Sequence, residues 1–269
     1  MKAGLVWGAL FLTTVATAGF AGETIPNPLT ESPTWDALRD DVLGEATVSD
    51  GSALLTLEAP YRANDAATVP LLLRQTDISP AITRATVVID ENPAPVAGEF
   101  TFSEGMAPLD FEIRVRVNQY SNVRVIARTE DGLFMTGRFV KASGGCSAPA
   151  TRDPASALAA MGEMKLRSFD EPAMSTARRE AQIMIRHPNY SGLQRDQVTH
   201  LFINAHFIDH LEVYQGEELL FTMEGGISIS ENPVFRFGYN DNGSETFTIH
   251  ATDTEGNRFE RTLPKEPVS

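Results

Sequence analysis

The 269-residue chain is 42% hydrophobic and 22% charged, the balance of a sequence that buries a core rather than one that stays disordered. Its net charge of -14 is evenly spread, with 10 basic and 18 acidic residues between 22 and 150 and 11 and 18 after that. No cluster of lysine and arginine is present to displace counterions from a phosphate backbone, so nucleic acid is excluded as a partner, while an acidic surface suits proteins with basic faces.

The chain opens with a charge at Met1-Lys2, an apolar core from Leu5 to Val15 and the small-x-small pattern Gly19-Phe20-Ala21. This predicts a signal peptide over residues 1–21, cleaved after Ala21, and hence an exported protein. The apolar stretch is shorter than the ~20 residues that span a bilayer, and no later segment is long enough, so no membrane span is expected after cleavage. Gly22 to Pro33 reads as a tether, and Thr34 as the cap of a short helix to Leu43 with Trp35, Leu38 and Val42 on one face.

From there the pattern is β. Leu55 and Leu57, Val69 to Leu73, Thr86 to Ile89, and Phe100 with Phe102 mark short strands. Phe111, Ile113, Val115 and Val117 alternate with the polar Glu112, Arg114 and Arg116, the period of a half-buried strand. Val123 and Val125 lead through the turn Glu130-Asp131-Gly132 to a returning strand, Phe134 to Val140. Residues 34–150 thus form a first β-sandwich, and residues 151–162, with one or two helical turns from Asp153-Pro154 to Gly162, a linker.

Residues 163–269 give a second sandwich, with strands expected at Gln182–Arg186, His200–Asn204, Leu211–Tyr214, Glu218–Met223, Val234–Phe237, Thr246–His250 and Arg258–Thr262. Both halves end alike, in a strand, an acidic-glycine turn and a strand. The expected fold is all-β: two tandem sandwiches behind a short N-terminal helix.

Chemistry concentrates on Cys146, the single cysteine. In an oxidising compartment it has no partner within its own chain. Buried free cysteines are usually inert, but Gly144 and Gly145 precede this one and Ser147-Ala148-Pro149 follow it. That context predicts a mobile, exposed loop with the glycines as its hinge. The absence of an adjacent base predicts a covalent attachment point and not a catalytic nucleophile.

Elsewhere, His206 and His210 would stand ~13 Å apart on a strand, too far to share an ion, and His187 and His200 read as ordinary turn or strand residues. With no phosphate loop, Gly-x-Ser-x-Gly or His-Glu-x-x-His, no metal, no cofactor and no catalytic residue is expected.

Gly144-Gly145-Cys146 at the end of a β-domain resembles the carrier arm of SoxY, the sulfur carrier of periplasmic thiosulfate oxidation. The second half resembles its partner SoxZ, through Ile185-Arg186-His187-Pro188, Gly192-Leu193, Ala205-His206-Phe207-Ile208, Ile229-Ser230-Glu231-Asn232-Pro233, Phe235-Arg236-Phe237 and Asp253-Thr254-Glu255-Gly256. The joining of both in one chain is similar to the fused SoxYZ-like carriers associated with quinoprotein dehydrogenases.

The resemblance implies immunoglobulin-like sandwiches and a periplasmic, non-enzymatic carrier. A thiosulfate-derived group would be held on Cys146, with Gly144 and Gly145 as arm hinge. It implies SoxAX-, SoxB- and SoxCD-like sulfur-oxidation enzymes, or a quinoprotein dehydrogenase system, as partners. Two departures stand out: the arm is internal and not terminal, and Asn189-Tyr190-Ser191 replaces Met-Glu-Thr. Two other readings are a binding or assembly module for a dehydrogenase system in which Cys146 is dispensable, and a thiol redox protein, which would lack a resolving cysteine.

Overall fold

The computed structural model of the chain describes residues 26–76, 79–149, 154–169 and 177–265; the signal peptide at 1–21 and the expected boundary at 150–153 lie outside them. Helix α1 (Pro33–Leu43) is capped not by Thr34 but by Ser32, whose hydroxyl accepts the Trp35 backbone N–H at 3.1 Å and leaves Pro33 at the first helical position.

The first half then forms β1 (Val48–Asp50), β2 (Leu55–Glu58), β3 (Val69–Gln75), β4 (Arg84–Ile89), β5 (Val96–Phe102), β6 (Asp110–Val115), β7 (Ser121–Thr129) and β8 (Gly132–Val140). A short helix α2 (Pro154–Ala159) leads to β9 (Met164–Ser168), β10 (Arg178–Ile185), β11 (Ile208–Gln215), β12 (Glu218–Gly225), β13 (Val234–Asn240), β14 (Thr246–Asp253) and β15 (Arg258–Pro264). Among the described residues no helix is long and apolar enough to cross a membrane.

The strands follow the period-two pattern. Val69, Leu71 and Leu73 of β3 are buried, as are Phe247, Ile249 and Ala251 of β14, with more exposed residues between them. Strand β7 departs from it, with both faces covered. Trp35 of α1 packs with Val88 and Ile126 on the outer side, its ring 4.4 Å from the guanidinium carbon of Arg124, which is paired with buried Asp90 at 2.8 Å.

His200–Asn204 is not a strand. Asp196 accepts the backbone N–H groups of Val198 at 3.0 Å and Thr199 at 2.7 Å, and the turn so formed leaves Val198, Leu201 and Phe202 exposed. Their apolar spacing belongs to a surface loop.

The strands make the expected immunoglobulin-like β-sandwiches, set edge to edge so that two sheets run through both halves of the chain. One sheet has the order β1-β8-β7-β4-β5-β12-β11-β14-β15 and the other β2-β3-β6-β13-β10-β9. Read outward from the junction the halves match: β5-β4-β7-β8 against β12-β11-β14-β15, and β6-β3-β2 against β13-β10-β9. The sequence likeness of the two C-terminal hairpins is therefore a likeness of position, β7–β8 answering β14–β15.

The joining pairs are antiparallel, Phe102 opposite Phe221 and Phe111 opposite Phe237, and each satisfies backbone groups that a free sheet edge would expose. One apolar core fills the space between the sheets and takes residues from both halves. At its centre the Phe111 ring lies 5.2 Å from Phe100, Phe102 and Phe221.

Because Phe111 touches aromatic rings from both halves, Phe111→Ala is expected to cost about 3–5 kcal/mol. Both halves should be lost together, in one urea transition by fluorescence and circular dichroism alike. Two separated transitions would show that the shared core does not couple them.

Candidate functional site

Strand β8 ends at Val140, and the chain returns across the end of β6. There the Gly144 N–H donates to the Asn118 carbonyl at 2.8 Å and the Gly145 N–H to the Val117 carbonyl at 3.1 Å. Gly144 holds a left-handed conformation, φ 78°, that glycine adopts freely. A Cβ on Gly145 would stand 2.1 Å from the Ala66 carbonyl oxygen and 2.7 Å from that of Val117, so only glycine fits.

Residues Gly145–Ser147 form a single 3₁₀ turn, and the second half closes over it. The Ser191 hydroxyl donates to the Cys146 carbonyl, and the Gln194 side-chain amide donates to the Ala148 carbonyl at 3.0 Å. The expected exposed, mobile loop is therefore a docked arm, and Cys146 is fully buried. Gly145 holds it down: tertiary carbonyls occupy the space that a side chain there would need.

Cys146 belongs to neither apolar cluster, although its relative exposure is 0%. Burial raises the thiol pKa and the Arg116 guanidinium pulls it back, with the rise prevailing, so the docked arm carries a neutral thiol. A neutral, covered thiol is a poor nucleophile.

Alternation places Arg116 on the outer face of its strand, but the segment 228–230 folds over that face. The Arg116 N–H donates to the Ser228 carbonyl at 2.7 Å, Ile229 pairs with Val115, and the Ser230 N–H donates to the Arg114 carbonyl at 3.1 Å. Asn92 anchors the crossing, donating to the Arg116 carbonyl at 2.7 Å and the Ser228 hydroxyl at 2.8 Å. Arg116 is left 1% exposed.

A second buried cluster joins three parts of the second half. Asp253 accepts from His206 Nε2 at 2.7 Å and from His187 Nε2 at 3.3 Å, and from Asn257 through both its side chain and its backbone at 2.9 Å. Burial pushes the Asp253 carboxyl up, but the hydrogen bonds from Asn257, His206 and His187 outweigh it and hold the pKa at about 2.

His187, His206 and Asp253 bring potential ligand atoms within 4.8 Å of one another. The donor set does not favour an ion. His187 Nδ1 accepts the Asn189 backbone N–H at 3.1 Å, which puts the ring proton on Nε2, facing Asp253. The cluster ties the His187, His206 and Asp253 segments together. His206 and His210 do not meet in it: His210 bonds to Glu224 at 2.7 Å. Sequence reasoning took His187 for an ordinary residue and missed Asp253, though both lie in the short segments that carry the family resemblance.

Two comparisons bear on this geometry. Residues 39–146 match the family described as Sulfur oxidation protein SoxY, and residues 168–264 the family described as Sulphur oxidation protein SoxZ. The first match ends on the buried cysteine. Among solved structures, the sulfur carrier protein SoxY from Chlorobium limicola f thiosulfatophilum is 22% identical over 40% of this chain and 94% of that chain, with a TM-score of 0.34. No curated protein matches the chain.

The clamp at Gly145 gives a direct expectation. Gly145→Ala should lift the arm and speed the reaction of Cys146 with Ellman's reagent at least about ten-fold. An unchanged rate would show that docking does not protect the thiol. For Asp253 the folded pKa of about 2 lies below the ordinary carboxylate value. Its contribution is thus full above about pH 4 and is lost as pH falls towards 2. Asp253→Asn should cost about 2 kcal/mol at pH 7 and flatten the fall in urea stability between pH 4 and 2.

Proposed function

The chain joins a SoxY domain to a SoxZ domain and belongs to those families of sulfur-oxidation proteins, and on that premise we propose that it is a periplasmic carrier holding a thiosulfate-type group on Cys146. The observation that carries this reading is the placing of the chain's single cysteine at the end of the SoxY match, on an arm pinned by a few hydrogen bonds and a left-handed glycine.

Among the described residues, four hydrogen bonds tie the arm to the rest of the chain: two from Gly144 and Gly145, one from Ser191 and one from Gln194. At about 1 kcal/mol net each they make opening a minor excursion of roughly 4 kcal/mol, within what a partner protein supplies on binding. Gly144 and Gly145 are the hinge of this motion.

Once out, the thiol is relieved of the burial that keeps it neutral. It gives up its proton and bonds to the outer sulfur of thiosulfate, while two electrons pass to a haem-bearing partner of the SoxAX type. Water then releases the sulfonate end as sulfate on a SoxB-like enzyme, leaving the sulfane sulfur on the cysteine for a SoxCD-like oxidase. A quinoprotein dehydrogenase system is the alternative setting. In either case the partner enzymes supply catalysis and this chain supplies attachment.

Intact mass of the protein isolated from its native compartment tests the reading. The expected spectrum contains species heavier than the unmodified chain by sulfur or thiosulfonate, absent after reduction and absent from a Cys146→Ser strain. That strain should also lose at least about 90% of thiosulfate-dependent respiration. A free thiol under every growth condition, with an unaffected Cys146→Ser strain, would overturn it in favour of a binding module.

A further inference from the structure

Arg116 is an unusual residue to bury. A guanidinium stays protonated, and removing it from water costs several kcal/mol unless an anion or a full set of acceptors replaces the solvent. Here the replacement is incomplete. Nη1 donates to the Ile229 carbonyl at 2.5 Å and more weakly to Ile227 at 3.4 Å, but the buried Nε–H has no hydrogen-bond partner. Among the described residues Arg116 has no ion pair. Glu231 and Asp65 favour its charge without pairing with it; burial pushes the Glu231 carboxyl up, and its Oε1 accepts from the Asn232 amide at 3.3 Å.

The Arg116 guanidinium favours the ionised form of Cys146, and an ionised Cys146 would favour the guanidinium in return. The backbone explains why. Val117 and Asn118, the two residues after Arg116, accept the N–H groups of Gly145 and Gly144, the two residues before the cysteine. The buried guanidinium and the buried thiol therefore lie at one seam between the two halves, the first covered by residues 228–230 and the second by Ser191, and neither belongs to an apolar cluster. A neutral thiol leaves the Nε edge unsatisfied. An anionic group on the sulfur would satisfy it, since the Nε edge of a guanidinium presents a fork that matches the oxygens of a sulfonate.

We propose that Arg116 is a binding residue for the cargo: when the arm lies docked, its Nε edge holds the sulfonate end of a thiosulfonate carried on Cys146. This rests on the carrier reading of Cys146 and deepens it. The seam becomes a storage site matched to a charged adduct.

The test loads the full chain chemically, so that it does not depend on what Cys146 carries in the cell. In urea, the Cys146 thiolate attacks a central sulfur of tetrathionate. The central S–S bond breaks, thiosulfate leaves with its electron pair, and the protein keeps the –S–SO₃⁻ group. Methyl methanethiosulfonate gives the neutral counterpart, an –S–CH₃ group, with methanesulfinate leaving. Both proteins are refolded, and the release of each group by dithiothreitol is followed by mass. Each rate is divided by that of the same adduct in the urea-unfolded chain.

In the wild type the charged adduct should be protected at least ten-fold more than the neutral one. In Arg116→Met that selectivity should vanish, with the neutral adduct released as before, and Arg116→Lys should recover only part of it. If Arg116→Met does not fold, the wild-type contrast and Arg116→Lys still decide. Equal protection of the two wild-type adducts, or failure of the charged protein alone to refold, would overturn the proposal. Either result would leave the native-mass test of the carrier reading untouched.

Discussion

Two strand pairs, β5 with β12 and β6 with β13, carry the hydrogen bonding of both sheets from one half of the chain into the other. Their register decides where everything else falls. The pairing of β6 with β13 brings the segment just before β13 across Val115 and Arg116, and this turns an outward-facing arginine into a buried one. The same apposition sets Ser191 and Gln194 over the turn that bears Cys146. The first half alone would leave both Arg116 and Cys146 without this cover; it exists because two sheet edges are joined.

Packing and electrostatics pull in opposite directions there. The Phe111 cluster and the continuous apolar core favour tight closure of the junction, while the polar groups at its end are incompletely satisfied. A large, cooperative core tolerates such a local deficit, and buried unsatisfied groups of this kind gather where proteins bind or react. Arg116 beside Cys146 fits that pattern, whereas the Asp253 cluster, with its carboxylate fully engaged, fits a structural tie.

Much of this was legible in the sequence, and for stated reasons. Alternation in β3, β6 and β14 reads directly because one face of each meets the core. The matching of the two C-terminal hairpins was visible as well. Arg116 was not, because period two reports only the strand's own faces and says nothing of a loop that later covers the outer one. Cys146 misled for a related reason. Two glycines in isolation mean freedom, but Gly145 is there because the Ala66 and Val117 carbonyls leave room for nothing larger. The sequence of Val198, Leu201 and Phe202 misled in the other direction, since apolar residues on a loop tied by Asp196 mimic a strand.

The continuity of the two sheets across a single chain has a consequence for behaviour at low abundance. Were the same two surfaces carried on separate chains, their association would follow mass action, and a seam built from both would come apart on dilution. Covalent joining makes that equilibrium independent of protein concentration. A cysteine sheltered at such a seam keeps its cover however scarce the protein becomes.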